Sequence, residues 1–143
     1  MRVREEVLLV VYRPGPSFLV LLRSPDSHGY WHVVAGGIEE GEAPDAAALR
    51  ELDEETGLTH PVRFAPIPLE LGYRPMGDEG KEWGDWVTLH PYSVEVEADW
   101  EPVLNEEHVE YRWCTEAQAE ELLEYPEPLD ALRAVARRLG VES

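Results

Sequence analysis

One cysteine, Cys114, is all that the 143 residues contain. A single thiol rules out an intramolecular disulfide, and the count fits a reducing compartment. Long apolar runs are missing too. No segment approaches the roughly 20 residues that a membrane-spanning helix needs. The opening Met1-Arg2-Val3-Arg4-Glu5-Glu6 is charged and leads into a strand-like stretch, which is unlike a secretory signal. The expectation from these absences is a cytoplasmic protein with no membrane partner. No internal repeat, low-complexity tract or dividing linker is visible, so residues 1–143 are expected to form a single domain.

Positive charge is scarce: 12 Lys and Arg stand against 30 Asp and Glu, for a net charge of −18. A surface this acidic repels a nucleic-acid backbone, which is normally met by a basic patch, so no nucleic-acid polymer is expected as a partner. Solubility alone accounts for a solvated acidic face. The alternative is that some carboxylates collect divalent cations. An acidic protein holds a polyphosphate only where metal or a local basic group offsets the like charges. Arg23, Arg50, Arg74 and Lys81 are the few cations near the region that matters below.

The chain is 43% hydrophobic and 29% charged, in the range of folded globular proteins. Val3 to Tyr12 is β-branched and aliphatic and reads as a strand, followed by a turn at Arg13-Pro14-Gly15-Pro16. Phe18 to Arg23 is nearly all apolar and reads as a central strand. A polar loop over Ser24 to Gly29 precedes a short strand, Trp31 to Val34, ending at Ala35-Gly36-Gly37. Asp45 to Thr56 is rich in Ala, Leu, Glu and Arg and predicts a helix, with Pro44 in its first turn and Gly57 as its C-terminal cap. Val62 to Tyr73 contains strand, but Pro66 and Pro68 argue for an edge or a bulge. Arg74 to Gly84 reads as loop, Asp85 to Val96 and Glu110 to Cys114 as strands, Thr115 to Glu124 as a helix capped by Thr115 and Gln118, and Pro128 to Leu139 as a last helix. This order predicts an α+β fold, an α/β/α sandwich around a mixed sheet.

On the first helix, Glu51, Glu54 and Glu55 stand at i, i+3 and i+4, so the three carboxylates share one face. Like charges at that spacing repel by a few tenths of a kcal/mol per pair, which a bound cation offsets. Oxygen ligands favour hard cations, with Mg2+ first and Mn2+ second. Arg50 lies four residues before Glu54 and can pair with it. The plainer reading is an exposed charged helix with Leu49 and Leu52 turned inward.

That plainer reading predicts no fixed context around the helix, yet Gly36, Glu42 and Arg50-Glu51-Leu52-Asp53-Glu54-Glu55-Thr56-Gly57-Leu58 are spaced with five and seven residues between them. This pattern resembles the Nudix box, G-x5-E-x7-R-E-U-x-E-E-x-G-U with U aliphatic, at every fixed position from Gly36 to Leu58. The order of flanking elements is similar to the Nudix fold over most of the remaining chain, less specifically. The resemblance implies metal ligation by Glu51, Glu54 and Glu55. It also implies a carboxylate fixed by Arg50 and a supporting role for Glu42. Gly36 and Gly37 would let the backbone turn sharply and approach a ligand. The implied chemistry is attack of water on a phosphorus of a diphosphate, with metal neutralising the oxygens and a carboxylate taking the proton. Glu54, Glu55 or a later-loop glutamate is the base. Glu107 is the later candidate, with Glu106 and Glu110 as alternatives and a solvated acidic loop as the bland reading.

Substrate recognition lies outside the box. Arg23 is a candidate phosphate ligand, against a plain surface arginine. Trp31 is a candidate base-stacking ring, against a core tryptophan. Tyr73, Arg74 and Trp83 stand where family members often carry substrate-recognising side chains, while Tyr73 and Pro75 sit near conflicting markers of dinucleoside polyphosphate and ADP-ribose enzymes. His28 and His108 read as solvated, and neither has zinc spacing. The pattern Trp-His-x-Val-x-Gly-Gly-x-Glu-Glu-Gly-Glu, with Glu-His-x-x-Tyr-x-Trp later, resembles the nucleoside triphosphate and dihydroneopterin triphosphate pyrophosphohydrolases. Alternatives are a dinucleoside polyphosphate or ADP-ribose hydrolase, and a non-catalytic Nudix-like module that senses nucleotide. The partner expected is a small nucleotide or nucleoside diphosphate derivative. Oligomeric state is open, a homodimer included.

Overall fold

A computed structural model describes residues 4–74 and 86–140. The first and longest strand, β1 (Arg4–Arg13), organises the sheet because its run from Val7 to Tyr12 is buried on both faces. It pairs in parallel with β7 (Val87–Glu95) along nine residues, Arg4 opposite Val87 through Tyr12 opposite Glu95. Its other edge is shared. The first part faces β4 (Val34–Gly37), with Val7 opposite Gly36, and the last two residues face β2 (Ser17–Arg23). Strand β2 then carries β3 (Trp31–His32) and β8 (His108–Cys114). Two short strands, β5 (Arg63–Pro66) and β6 (Leu71–Tyr73), both pair antiparallel with β7. The sheet is therefore mixed, as expected.

Side chains alternate across a strand, so one sheet buries two cores. Val7, Leu9 and Val11 face α1 (Pro44–Thr56), where Ala47, Ala48 and Leu52 meet them. Leu8, Val10 and Tyr12 face α3 (Pro126–Arg138), which presents Ala131, Leu132, Val135 and Ala136, and the shorter α2 (Glu116–Leu122) beside it. Burying each such Val or Leu contributes about 1.5–3 kcal/mol, so the two faces of β1 fix helices on either side of one sheet. This is the α/β/α sandwich.

The structure corrects several boundaries. The stretch expected to be one strand from Trp31 to Val34 is two. The chain leaves β2 after His32 and joins β1 at Val34, and the pairing runs on through Gly36 and Gly37. A 3-10 turn, Pro25–Ser27, occupies the expected polar loop. The proline-bearing stretch before Tyr73 splits into β5 and β6, with Pro66 closing the first. Leu49 does not turn inward with Leu52. It is 41% exposed, because the buried stripe of α1 runs through Ala47, Ala48, Leu52 and Glu55. The expected capping box on α2 is present in both directions, Gln118 N–H to Thr115 Oγ1 at 3.2 Å and Thr115 N–H to Gln118 Oε1 at 2.9 Å. Pro75, Lys81 and Trp83 lie outside the described residues, as does the expected start of β7 at Asp85. No helix among the described residues is long and apolar enough to cross a membrane.

Candidate active site

Helix α1 ends in a left-handed Gly57, φ 78°, whose N–H donates to Asp53 O at 2.8 Å, while Val103 N–H caps the Thr56 carbonyl at 2.8 Å. These contacts fix the helix's rotation. At about 100° per residue, Glu55 falls in the middle of the buried stripe, Glu51 about 40° from it and Glu54 about 100° away. The three carboxylates therefore sit at three depths. Glu55 is 1% exposed, Glu51 is half-buried, and the Glu54 side chain is 54% exposed.

Arg50 holds the outer two. Its Nε and Nη2 donate to the two oxygens of Glu42 at 2.8 and 2.9 Å, a bidentate fork. Nη2 also donates to Gly37 O at 2.9 Å, and Nη1 reaches Glu51 Oε1 at 2.9 Å and Glu54 Oε2 at 3.5 Å. One guanidinium thus ties the end of β4, the loop glutamate and two helix carboxylates together. Hydrogen bonds from Arg50, with help from the Glu39 N–H, pull the Glu42 carboxyl down to about 2. A carboxylate so depressed keeps its contribution to the fork above its ordinary pKa and loses it only as pH falls toward 2. An NMR titration is expected to show Glu42 titrating near that value, and Arg50→Ala to return it toward the ordinary glutamate range near 4.3.

Gly36 serves Glu51 by lacking a side chain: an added Cβ would fall inside the Glu51 carboxyl group. The far end of a glutamate can swing away, so Gly36→Ala is expected to leave the fold intact while displacing Glu51. The measurable result is a melting temperature within a few degrees of wild type and a loss of divalent-metal affinity of about ten- to a hundredfold.

Glu55 faces the other way, into a corner built by the start of β8. Its Oε1 lies 3.8 Å from His108 Nε2. Ligand atoms of Glu55, Glu107 and His108 all lie within 4.8 Å of one another. Burial raises the Glu55 carboxyl far above the ordinary range, and Glu51 and Glu107 push the same way, while a backbone hydrogen bond from Ala35 opposes them. Glu55 Oε2 and both His108 ring nitrogens are buried with no hydrogen-bond partner among the described residues. Unpaired buried polar atoms of this kind are costly. Oxygens crowded against oxygens, with a neutral imidazole beside them, make a donor set that a divalent cation would satisfy.

His108 was expected to be solvated, and this is a correction: it is 4% exposed. Burial, with the positive Arg23 and the nearby His32, drives its pKa down to about 4, so it is neutral at pH 7. The register of β8 shifts against β2 between Leu22 and Arg23, placing His108 opposite Arg23 and turning Val109 outward. Strict alternation along β8 would turn Val109 to the side of Tyr111 and Trp113, and the bulge reverses it. Nothing local in Glu106-Glu107-His108 signals that inversion.

Among the other candidates, Arg23 joins the cluster's rim. Its Nε is buried without a partner among the described residues, and its guanidinium lies 5.5 Å from the Tyr30 ring centre. Glu107 is exposed and is held by its own backbone, which accepts from Ser24 N–H at 2.9 Å and donates to Asn105 Oδ1 at 3.1 Å. Trp31 is not brought to the carboxylates. It packs on the core facing α3, with the Arg112 guanidinium 4.8 Å over its ring. Tyr73 hydroxyl donates to Glu6 Oε1 at 2.9 Å, and burial beside that carboxylate raises its pKa. His28, as expected, is exposed.

Comparison with known proteins gives the same site a family. The NUDIX domain matches residues 2–136. An octanoyltransferase of Myxococcus xanthus is 35% identical over 92% of the chain, which spans only about a third (35%) of that protein's length. A dihydroneopterin triphosphate diphosphatase of Haemophilus influenzae is 28% identical over 90% of the chain and 85% of its own. Among solved structures, the C. elegans Ap4A hydrolase in a binary complex superimposes with a TM-score of 0.77 at 25% identity, covering 96% of this chain and 98% of that one. The E. coli dihydroneopterin triphosphate pyrophosphohydrolase gives 0.80 at 22% identity, covering 94% and 95%, a likeness of fold. The unbroken box from Gly36 to Leu58, the sandwich that buries Glu55 and the match along nearly the whole sequence place the chain in the NUDIX family.

Proposed function

We propose that this Nudix hydrolase cleaves the diphosphate linkage of a nucleoside triphosphate or a related nucleoside diphosphate derivative, with Mg2+ or Mn2+ as cofactor. The observation that carries the reading is the buried Glu55 carboxyl, crowded by Glu51 and Glu107 and left without a partner among the described residues on one oxygen. A purely structural helix would gain by replacing that ionisable group with a neutral one. The diphosphatase named for dihydroneopterin triphosphate, which resembles this chain over most of both lengths, supports a triphosphate substrate.

Glu51 and Glu55, with Glu54, Glu107 and His108 beside them, are the residues that would hold the cation. The metal would neutralise phosphate oxygens and lower the pKa of a bound water. The protein's own groups do the rest. Arg50 keeps Glu51 and Glu54 oriented. Arg23 brings a guanidinium to the rim, with an Nε unpaired among the described residues, as the group to meet a phosphate oxygen. Neutral His108 keeps a second positive charge away from the ligands. A carboxylate at the rim takes the proton of the attacking water. Glu54 and Glu107 are exposed enough to pass it to solvent; the variant among Glu54→Gln, Glu55→Gln and Glu107→Gln that abolishes the acid limb of the pH–rate profile identifies it.

The test is a panel of nucleoside triphosphates, a pterin triphosphate, dinucleoside polyphosphates and ADP-ribose, each with Mg2+ or Mn2+ and with product identification. Release of pyrophosphate and a monophosphate from a triphosphate supports the proposal. Turnover confined to dinucleoside polyphosphates or ADP-ribose would move the substrate to those classes. Binding without turnover of any of them would overturn the catalytic reading.

A further inference from the structure

Two consecutive residues at the entry to β8 serve one corner. Glu107 stands exposed at the rim, and His108 turns beneath it. The bulge opposite Leu22 and Arg23 makes this turn, and bulges re-aim side chains in this way beside functional sites. A neutral imidazole buried in a packed core donates from one nitrogen and accepts at the other. His32, close by, is satisfied on one side: its Nδ1–H donates to Val33 O at 2.8 Å. His108 is 4% exposed, and neither of its ring nitrogens has a hydrogen-bond partner among the described residues. The polar atom that faces it is Glu55 Oε1, 3.8 Å from Nε2, too far for a hydrogen bond.

That spacing suits two ligands of one ion. Ligand atoms each about 2.1 Å from an ion stand roughly 3.0 Å apart at a right angle and roughly 4.2 Å apart on opposite sides. The 3.8 Å between His108 and Glu55 falls inside that range. Ligand atoms of Glu55, Glu107 and His108 all lie within 4.8 Å of one another, and the exposed Glu107 side chain has room to close the remaining gap. Arg23, opposite His108, acts against a cation here, while three carboxyl groups, Glu51, Glu55 and Glu107, act for it.

We infer that His108 Nε2 is a nitrogen ligand of the bound cation, and that it biases the corner toward a first-row transition ion, Mn2+ over Mg2+. The inference rests on the proposed function for the presence of a cation among the box glutamates. Those glutamates supply oxygen alone, which Mg2+ and Mn2+ both accept. An imidazole nitrogen changes the balance. Transition ions bind it well, whereas Mg2+ demands hard oxygen ligands and gives up its waters reluctantly.

The experiment adds Mn2+ to the full chain and to two variants, His108→Gln and His108→Phe, without nucleotide, and records pulsed EPR for nuclear modulation from a directly bound nitrogen. Calorimetry on the same preparations gives the Mn2+ and Mg2+ affinities. Wild type is expected to show the nitrogen modulation and both variants to lose it. Glutamine places an amide oxygen near the position of Nε2, so His108→Gln should bind Mn2+ at least about tenfold more weakly while its Mg2+ affinity stays within about threefold. Phenylalanine fills the buried volume with no donor, so Mn2+ should weaken there too. A circular-dichroism spectrum like that of wild type shows that each variant is folded, and the wild-type EPR spectrum decides the presence of a nitrogen ligand whatever the variants do. Bound Mn2+ without nitrogen modulation in wild type, modulation that persists in both variants, or an unchanged ratio of Mn2+ to Mg2+ affinity in His108→Gln would overturn the inference. Triphosphate hydrolysis on the same preparations separates the two readings. Turnover without nitrogen modulation removes this inference alone, nitrogen modulation without turnover of any substrate removes the catalytic one, and failure of both ions to bind removes both.

Discussion

Glu55→Gln is expected to lower turnover at least about a hundredfold and, in the absence of metal, to make the protein more stable. The first effect follows from removing a charged oxygen from the place where the cation and the reacting phosphate would meet. The second follows from the corner itself. Glu55 is 1% exposed, faces Glu51 and Glu107, and leaves Oε2 unpaired. Glutamine keeps the shape, cannot ionise and can donate to Glu51. Keeping that carboxyl protonated where the unfolded chain would ionise it costs about 1.4 kcal/mol per pH unit above the unfolded value, a cost glutamine avoids, and for a chain of this size that raises the melting temperature by several degrees. The pH dependence has a definite sign. The folded-state pKa of Glu55 is raised above 4.5, so its contribution is intact below 4.5 and is lost as pH rises toward the folded value. The stability advantage of the glutamine variant over metal-free wild type should therefore grow from pH 5 to pH 8, as differential scanning calorimetry will show. A variant that is both slower and less stable at pH 8 would mean that Glu55 is a packing residue.

The second large effect is expected at Arg50. Arg50→Ala removes the fork to Glu42, the bond to Gly37 O and the contacts to Glu51 and Glu54 at once. Loss of a group that orients metal ligands costs about ten- to a hundredfold, and here two proposed ligands and their loop are released together, so a fall at the upper end of that range is expected in kcat/KM. Arg50→Lys should recover little of it. An ammonium is a point donor and cannot span Glu42 bidentately while also reaching Gly37 and Glu51. The cleanest readout compares the dependence of rate on Mn2+ concentration in both variants: each should need more Mn2+ for half-maximal rate. An unchanged Mn2+ requirement with a lowered rate would place Arg50 on the substrate instead of on the ligands.

These residues differ in how far the sequence alone exposed them. The helix, its Gly57 cap and the carboxylate spacing were readable because helical geometry is local: i, i+3 and i+4 share a face whatever surrounds them. The mixed sheet was readable from element order. What spacing could not give was depth. Glu51, Glu54 and Glu55 look alike in a helical projection, and only packing of Ala47, Ala48 and Leu52 against Val7, Leu9 and Val11 decides that Glu55 goes inside and Glu54 to the rim. The same packing leaves Leu49 outside. His108 was hidden for another reason. A bulge between Leu22 and Arg23 reverses the alternation of β8, and a bulge depends on two strands that are some 85 residues apart. Pairing of Gly36 and Gly37 with β1 was likewise non-local, although their need for a bare backbone was legible.

The central claim is that Glu55 lies buried, short of partners and among acids because a divalent cation completes it. The most direct measurement is a Mn2+ titration of wild type and Glu55→Gln at pH 7, without nucleotide, followed by water-proton relaxation and by calorimetry in two buffers of different ionisation enthalpy. The account predicts that Mn2+ binds the wild type with release of a proton from the raised Glu55 carboxyl, and that Glu55→Gln weakens binding at least about tenfold and abolishes that release. Equal Mn2+ affinity in both proteins, with no proton released by either, would contradict it.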